Sequence, residues 1–239
     1  MSAATITLLF LLFAVVMFVF EKIPLGVTSM IVCIGLVVTG VLDVKTAFAG
    51  FIDSNVILFV ADGNGIGSNY ATRIWVGQKK GGLGDDYGLP QEMFPNLALS
   101  KTYTTNGQTP DSSPTASAMN TGVKSRNGTV NLDDAGGYED CNAAAKAGLT
   151  TFAEIVTDMG KSVGIVTTAR ITHATPAAVY AKSAHRDWED DTKLPPNCAQ
   201  KDIAAQLVDA IDAGIVDFAM GGGRHNFLPN GITDDEGGQ

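Results

Sequence analysis

Basic charge is scarce in this 239-residue chain: 16 lysines and arginines stand against 25 acidic residues, for a formal net charge of −9. A protein that binds nucleic acid normally presents a basic face, so the balance argues against nucleic acid as a partner. Cysteine is scarce as well. Cys33, Cys141 and Cys198 are too few for a disulfide scaffold that replaces a core. Histidine is limited to His173, His185 and His225. Apolar residues, by contrast, are plentiful. A mean hydropathy of +0.15 is high for so acidic a chain and indicates two unlike parts. The length suits one or two domains and is enough to bury a core.

Charge is missing altogether from residues 2–20 and again from 23–42, with only Glu21 and Lys22 between the two runs. Each run is about 20 residues, enough at 1.5 Å per residue to cross a ~30 Å hydrocarbon layer. The first run lacks a basic leading segment and a small-x-small cleavage site, which favours a membrane hairpin over a cleaved signal. Hydrophobicity all round argues against two water-soluble core helices. The expectation is a pair of transmembrane helices in residues 1–54, with membrane contact through residues 2–42. Residues 1–61, ending in NVILFVA, resemble the start of a permease of the divalent anion–sodium symporter type. In such a permease many more spans follow, yet no long apolar run comes after Ala61. A transport path built from two helices conflicts with the repeated bundles that transporters use.

From residue 55 onward the pattern alternates between strand and helix. Asn55–Ala61 (NVILFVA) is a continuous, branched apolar run, as expected of a strand buried on both faces. Ser162–Thr168 and Ile215–Met220 are the next strand candidates. Thr151 and Glu154 have capping-box spacing ahead of Phe152, Ile155, Val156 and Met159, with Gly160 as the stop. A second helix is expected from about Asp202 to Gly214, presenting Ala204, Leu207, Val208 and Ile211 on one face. Strands separated by such helices imply an α/β fold, a parallel sheet with helices on both faces. Ligands of such sheets collect at the carboxyl ends of the strands.

Those ends offer Asp62 after the first strand, and Arg170, Thr172, His173 and Thr175 after the second. The third offers Gly221–Gly223, Arg224 and His225. The stretch Thr109–Gly122 adds a helix with Pro114 as its first residue and Gly122 as its end. Asp111, Ser112 and Ser113 would then lie at a helix N-terminus, which favours a phosphate and places a serine hydroxyl to attack it. The plainer reading is that Ser112 or Ser113 is an N-cap.

Four segments resemble successive motifs of the alkaline phosphatase family in their usual order. They are ILFVADGNGIG, then Asp111 followed by SSPTASAMNTGVKSRNGTV, then GIVTTARITHATPAAVYAKSAHRDW, and last AMGGGRHNFLP. The resemblance covers residues 55–239 and implies the N-terminal portion of that family's domain, an incomplete parallel sheet flanked by helices. It implies two Zn2+ and one Mg2+ as cofactors and small phosphate monoesters as substrates. Asp62 would bind the second zinc and reach the magnesium, and Ser112 would be a metal-activated nucleophile that becomes phosphoserine. Thr175 resembles the hydroxyl ligand of magnesium, and His173 a residue beside that site. Arg186 resembles the guanidinium that grips two phosphate oxygens. Cys141 and Cys198 match a pair bridged in some relatives, many relatives are homodimers, and intact relatives work outside the cytoplasm, periplasmic or extracellular. With the apolar segment, this implies a membrane-anchored enzyme.

Each residue also has a plain alternative. Asp62-Gly63 could merely shape a turn. Arg186 could be a solvated arginine among Asp187, Glu189, Asp190 and Asp191, and Thr175 could cap the next helix. His185 and His225 look like surface residues and are assigned no metal. Asn127-Gly128-Thr129 fits a glycosylation sequon. Ala61, Asn64, Ser113 and Pro114 are mild departures from the family pattern. The weightier departure is that the family draws its remaining zinc and magnesium ligands from the later half of its domain, beyond the part matched here. The expectation is therefore impaired turnover and an exposed apolar sheet edge. A fragment of an anion transport protein joined to a phosphatase fragment, and a catalytically dead phosphate-binding fragment, are the alternatives. NVILFVA, which suits both resemblances, would be the junction.

Overall fold

The computed structural model describes residues 3–20, 25–42, 56–228 and 232. The chain divides into two compact units, residues 1–60 and 61–239.

In the first unit, α1 (Ala3–Phe20) and α2 (Leu25–Val38) contain no charged residue. They pack against each other where Gly35 meets Phe10; a Cβ at Gly35 would lie 2.2 Å from the Phe10 ring, which would have to shift to admit it. The expected pair of spans of about 20 residues is not reproduced. The helices have 18 and 14 residues, and among the described residues no helix is long and apolar enough to cross a membrane. At 1.5 Å per residue α2 reaches only about 21 Å of a ~30 Å layer. The expected strand at 55–61 also fails to form over its described part, and Asn55 lies outside the described residues. Val56–Val60 joins no ladder among the described residues and is exposed, Phe59 by 87%. A strand needs a hydrogen-bonded neighbour, and apolar side chains alone do not supply one.

The second unit is built on β1 (Gly164–Arg170) and β2 (Phe218–Gly222), which pair in parallel with Gly164 opposite Phe218 and Arg170 opposite Gly222. The expected α/β character and parallel pairing are therefore present, in a small sheet. Cover on both faces is not. Ile165 is buried, whereas its neighbour Val166 is 72% exposed. A strand sends successive side chains to opposite faces, and only one face of β1 has a helical layer over it. On that face Ile165, Ile171, Tyr180, Ile203, Leu207 and Val216 form the main core. The glycine run ending β2 allows close approach to β1: a Cβ on Gly221 would lie 2.7 Å from Thr167 Cγ2.

The helices follow their local signals. In chain order they are α3 (Ile66–Lys79), α4 (Ser112–Thr121), α5 (Cys141–Ala144), α6 (Phe152–Asp158), α7 (Ala174–Ala177) and α8 (Ile203–Asp212). The Thr151/Glu154 capping box opens α6, with Thr151 Oγ1 accepting from the Glu154 amide and Glu154 Oε2 accepting from the Thr151 amide. Asp202 caps α8. The buried side of α8 is Ile203, Ala204, Leu207 and Ala210; Val208 and Ile211, expected inside, are about half exposed. The buried stripe starts one residue earlier because Ile203, the first helical residue, reaches the core. Helix α4 ends at Gly122 in the left-handed conformation, as expected. Its start differs, since Asp111 is the N-cap and Pro114 the third helical residue. A Cys141–Cys198 disulfide with a Cα–Cα distance of 5.4 Å closes the edge of the unit. It packs with Leu132, Ala144, Ala184 and Trp188 in a second, smaller core.

Candidate functional site

A tight turn presents the first group. The Asn64 amide donates to the Ala61 carbonyl, Gly63 takes φ +70°, and Asp62 stands at the corner. The turn-forming reading of Asp62 thus holds, and its carboxylate is free to reach beyond the turn. Its Oδ1 accepts from Ser112 Oγ at 2.7 Å and its Oδ2 from Thr175 Oγ1 at 3.0 Å. Burial alone would raise the Asp62 pKa, but the hydrogen bonds from Ser112 and Thr175, with the charges of His173 and Arg186, hold it below the usual carboxylate value.

Ser112 is available for this contact because another residue caps α4. Asp111 Oδ1 accepts from the Ser113 amide at 2.6 Å and from the Ser113 hydroxyl. The capping role expected of Ser112 or Ser113 therefore belongs to Asp111. Ser113 is buried, and Ser112 is left as the first helical residue with its hydroxyl directed at a carboxylate. The positive end of the helix dipole lies at the same place.

Arg186 closes the cluster from the opposite side. One terminal nitrogen lies 3.2 Å from Asp111 Oδ1, the other donates to His173 Nε2 at 3.0 Å, and Nε lies 3.6 Å from Asp187. Its backbone amide donates to the Gly128 carbonyl at 2.7 Å, and the Gly128 amide in turn donates to Asp111 Oδ2 at 2.6 Å. The solvated alternative for Arg186 is thereby overturned: it is half-buried and held by three groups. Of its five N–H donors, one on each terminal nitrogen remains free of these contacts, a pair suited to two oxygens of one phosphate.

His173 caps α7 and is pushed toward the neutral ring by burial and by the nearby Arg186 charge, with Asp62 acting the other way. Its Nε2 lies 3.0 Å from a terminal nitrogen of Arg186, and its Nδ1 lies 3.8 Å from Asp62 Oδ2. The 3.5 Å approach of the Thr175 amide to Nδ1 is the weaker contact. Thr175 itself lies inside α7 and is not a cap.

Five residues singled out in the sequence, Asp62, Ser112, His173, Thr175 and Arg186, thus meet in one cluster. Two further residues were given no role in the cluster by sequence reasoning. Asp111 anchors Arg186, and its position just before a helical serine pair was the available signal. Glu189, one of several acids in a run, turns out to be buried and paired with Arg170. His185 is not a surface residue either: Tyr138 Oη lies 2.6 Å from its Nε2, and Trp188 stacks on its ring. The Asn127 sequon is engaged internally, with the amide nitrogen donating to the Thr109 carbonyl and the amide oxygen accepting from the Asp111 amide. Its Thr129 is buried.

The cluster offers one carboxylate, one imidazole whose lone pair is engaged, and two hydroxyls. Among the described residues no group of three or more His, Cys, Asp or Glu could hold a metal ion. These residues do not fit zinc, which takes three or four nitrogen, sulfur or carboxylate ligands from the protein. The carboxylate and hydroxyl of Asp62 and Thr175 do suit magnesium, a hard cation that keeps several waters.

Comparison with known proteins supplies the family. The alkaline phosphatase family profile matches residues 53–239. The mouse and human tissue-nonspecific alkaline phosphatases are each 45% identical over 185 residues, covering 76% of this chain and 35% of theirs. Membrane-bound alkaline phosphatase of Bombyx mori is 40% identical over 189 residues, covering 77% of this chain and 34% of its own. Among solved structures, alkaline phosphatase from the Antarctic bacterium TAB5 aligns with a TM-score of 0.48 at 25% identity, over 67% of this chain and 40% of its own. The cold-active enzyme of Shewanella sp. aligns with a TM-score of 0.49 at 26% identity, over 71% and 36%. The chain spans about a third of the length of the curated relatives it matches. With its family motifs gathered around Ser112 and the profile matched over most of its length, the chain belongs to the alkaline phosphatase family.

Proposed function

We propose that the cluster hydrolyses phosphate monoesters through a phosphoserine, with Ser112 as nucleophile and Arg186 as the phosphate grip. The observation that carries this reading is the 2.7 Å contact between Ser112 Oγ and Asp62 at a helix N-terminus whose capping duty Asp111 has taken. Ser112 Oγ attacks phosphorus as its proton passes to solvent, the ester P–O bond breaks, and the leaving oxygen takes a proton from solvent and departs as the alcohol. Water then cleaves the Ser112 phosphoester and releases inorganic phosphate. Asp62 orients the hydroxyl by accepting its hydrogen bond. Its lowered pKa makes it a poor store for the proton, so it positions rather than acts as general base. The two unengaged N–H groups of Arg186 bind two phosphate oxygens and remain bound to them as charge builds up.

Asp62 and Thr175 would hold magnesium, with Ser112 and His173 beside it. Such an ion supplies positive charge against the phosphate oxygens. Zinc does not fit the described residues, and no step is drawn through it. The held guanidinium of Arg186 by itself also fits a second reading, a cluster that binds phosphate without turnover. Hydrolysis of an aryl phosphate that disappears in Ser112→Ala supports the enzyme. Turnover that persists in Ser112→Ala would refute it, and phosphate binding with no turnover in the wild type selects the second reading.

Attachment to a membrane through residues 2–42 and the permease-like origin of residues 1–61 belong to this proposal too. The uncharged α1 and α2 support the membrane attachment, as does the membrane-bound silkworm relative. The disulfide supports a location outside the cytoplasm, where such bonds persist.

A further inference from the structure

Beneath the cluster lies a charged group that the proposed reaction leaves unused. Glu189 is 3% exposed. Its Oε1 accepts from Arg170 Nη2 at 2.7 Å, and its Oε2 accepts from Arg170 Nε at 2.8 Å, Thr172 Oγ1 at 2.6 Å and Asn226 Nδ2 at 2.9 Å. Asn226 Nδ2 also donates to Thr172 Oγ1 at 2.6 Å. The donors come from the last residue of β1, from the turn after it, and from the 3-10 helix Arg224–Phe227 after β2. Burying an ion pair is a weak route to stability, and its best-attested use is to enforce one arrangement over others.

The arrangement at stake can be read from the spacing. Glu189 follows Arg186 by three residues, and Arg170 precedes His173 by three. The two segments therefore meet twice, once at the 3.0 Å Arg186–His173 contact and again at the Glu189–Arg170 fork. We propose that Glu189 is a positioning residue: its fork to Arg170 sets segment 186–189 against segment 170–173 and so aims the Arg186 guanidinium at the phosphate. This inference rests on the reading of Arg186 as the phosphate grip. The main chain of the segment is held separately, because the Ile203 and Ala204 amides at the start of α8 donate to the Trp188 and Glu189 carbonyls. Loss of the Glu189 carboxylate therefore leaves the main chain of residues 188–189 tied to α8 but frees segment 170–173 to shift against it, which loosens the Arg186–His173 contact and the aim of Arg186.

The test uses the full chain in detergent, labelled with 15N-histidine and titrated with inorganic phosphate. Glu189→Gln should weaken phosphate binding about tenfold and Thr172→Val by about threefold, as charge-assisted bonds to the carboxylate are lost. In an Arg186→Ala background, Glu189→Gln should have no further effect, since coupled residues are non-additive. The His173 ring 15N resonances should shift in Glu189→Gln as its Arg186 partner moves, a change that general destabilisation does not produce. Unchanged phosphate affinity together with unchanged His173 resonances in Glu189→Gln overturns the proposal. If Glu189→Gln does not fold, Thr172→Val decides by the same two readouts. If Arg186→Ala leaves phosphate binding untouched, the phosphate reading of the cluster fails instead, and the His173 resonances, which need no phosphate, still decide whether Glu189 positions the pair.

Discussion

Opening the Cys141–Cys198 disulfide removes a constraint whose size follows from chain length. The bond joins residues 57 apart, so in the unfolded chain it closes a loop of that length. The loop-entropy relation gives about 14 cal/mol/K, or about 4 kcal/mol at 25 °C. Total stabilities run roughly 5–15 kcal/mol, so this single bond is a large fraction of what holds the unit folded. With a urea dependence of about 2–3 kcal/mol/M, the Cys141→Ser/Cys198→Ser variant should unfold roughly 1.5–2 M earlier in urea. Trp188 reports the transition directly, because it is buried in the small core that the sulfurs cover, while Trp75 is exposed. A thiol count in denaturant should rise by two on reduction. A midpoint shift below about 0.5 M would refute the entropic account, since it corresponds to only about 1 kcal/mol. No rise on reduction would refute the bond itself.

Other tests address single interactions. The Glu189 pKa is set by burial, which raises it, and by Arg170, Thr172 and Lys193, which together bring it down from 4.5 to about 2. A carboxylate depressed on folding stabilises above its unfolded pKa and loses that contribution as pH falls through the folded value. Stability should therefore drop between about pH 4.5 and pH 2 by on the order of 3 kcal/mol, and urea midpoints of Glu189→Gln should be flatter across that window. Thr151→Ala removes the cap of α6 and should cost about 1 kcal/mol by thermal or urea unfolding, with a neutral result arguing against the capping box. Arg186→Lys keeps the charge but loses the planar fork, so phosphate should bind at least about tenfold more weakly by calorimetry; equal affinity would remove Arg186 from the site.

Helix boundaries were legible in the sequence because their signals are satisfied within a few residues. Thr151 and Glu154 satisfy each other's amides across one turn, Asp202 caps α8, and Gly122 and Gly214 take the positive φ that a helix end requires. The candidate residues were legible as well, since the motifs around Asp62, Ser112, Thr175 and Arg186 are short and contiguous. Less was legible wherever a partner lies far along the chain. NVILFVA has the composition of a strand, yet a ladder needs a second strand beside it. The covered face of β1 likewise depends on α8, more than thirty residues downstream.

Residue type and local spacing by themselves determined the α/β class, the parallel pairing, the helix ends and the family-bearing motifs. The helix ends and motifs depend on backbone preferences and on contacts within a turn, and the class and parallel pairing on the alternation of strand and helix along the chain. Only the tertiary structure decided which of three neighbouring residues caps α4, and so freed Ser112 for a carboxylate 50 positions away and left Asp62 shared with Thr175 113 positions away. It also decided that Glu189 is buried while Asp187, two residues earlier, stays exposed. A run of acids looks uniform along the chain. Burying a charge is costly, so the one that goes inside is the one that meets the Arg170 fork, and that meeting exists only after β1 and segment 186–189 have packed together.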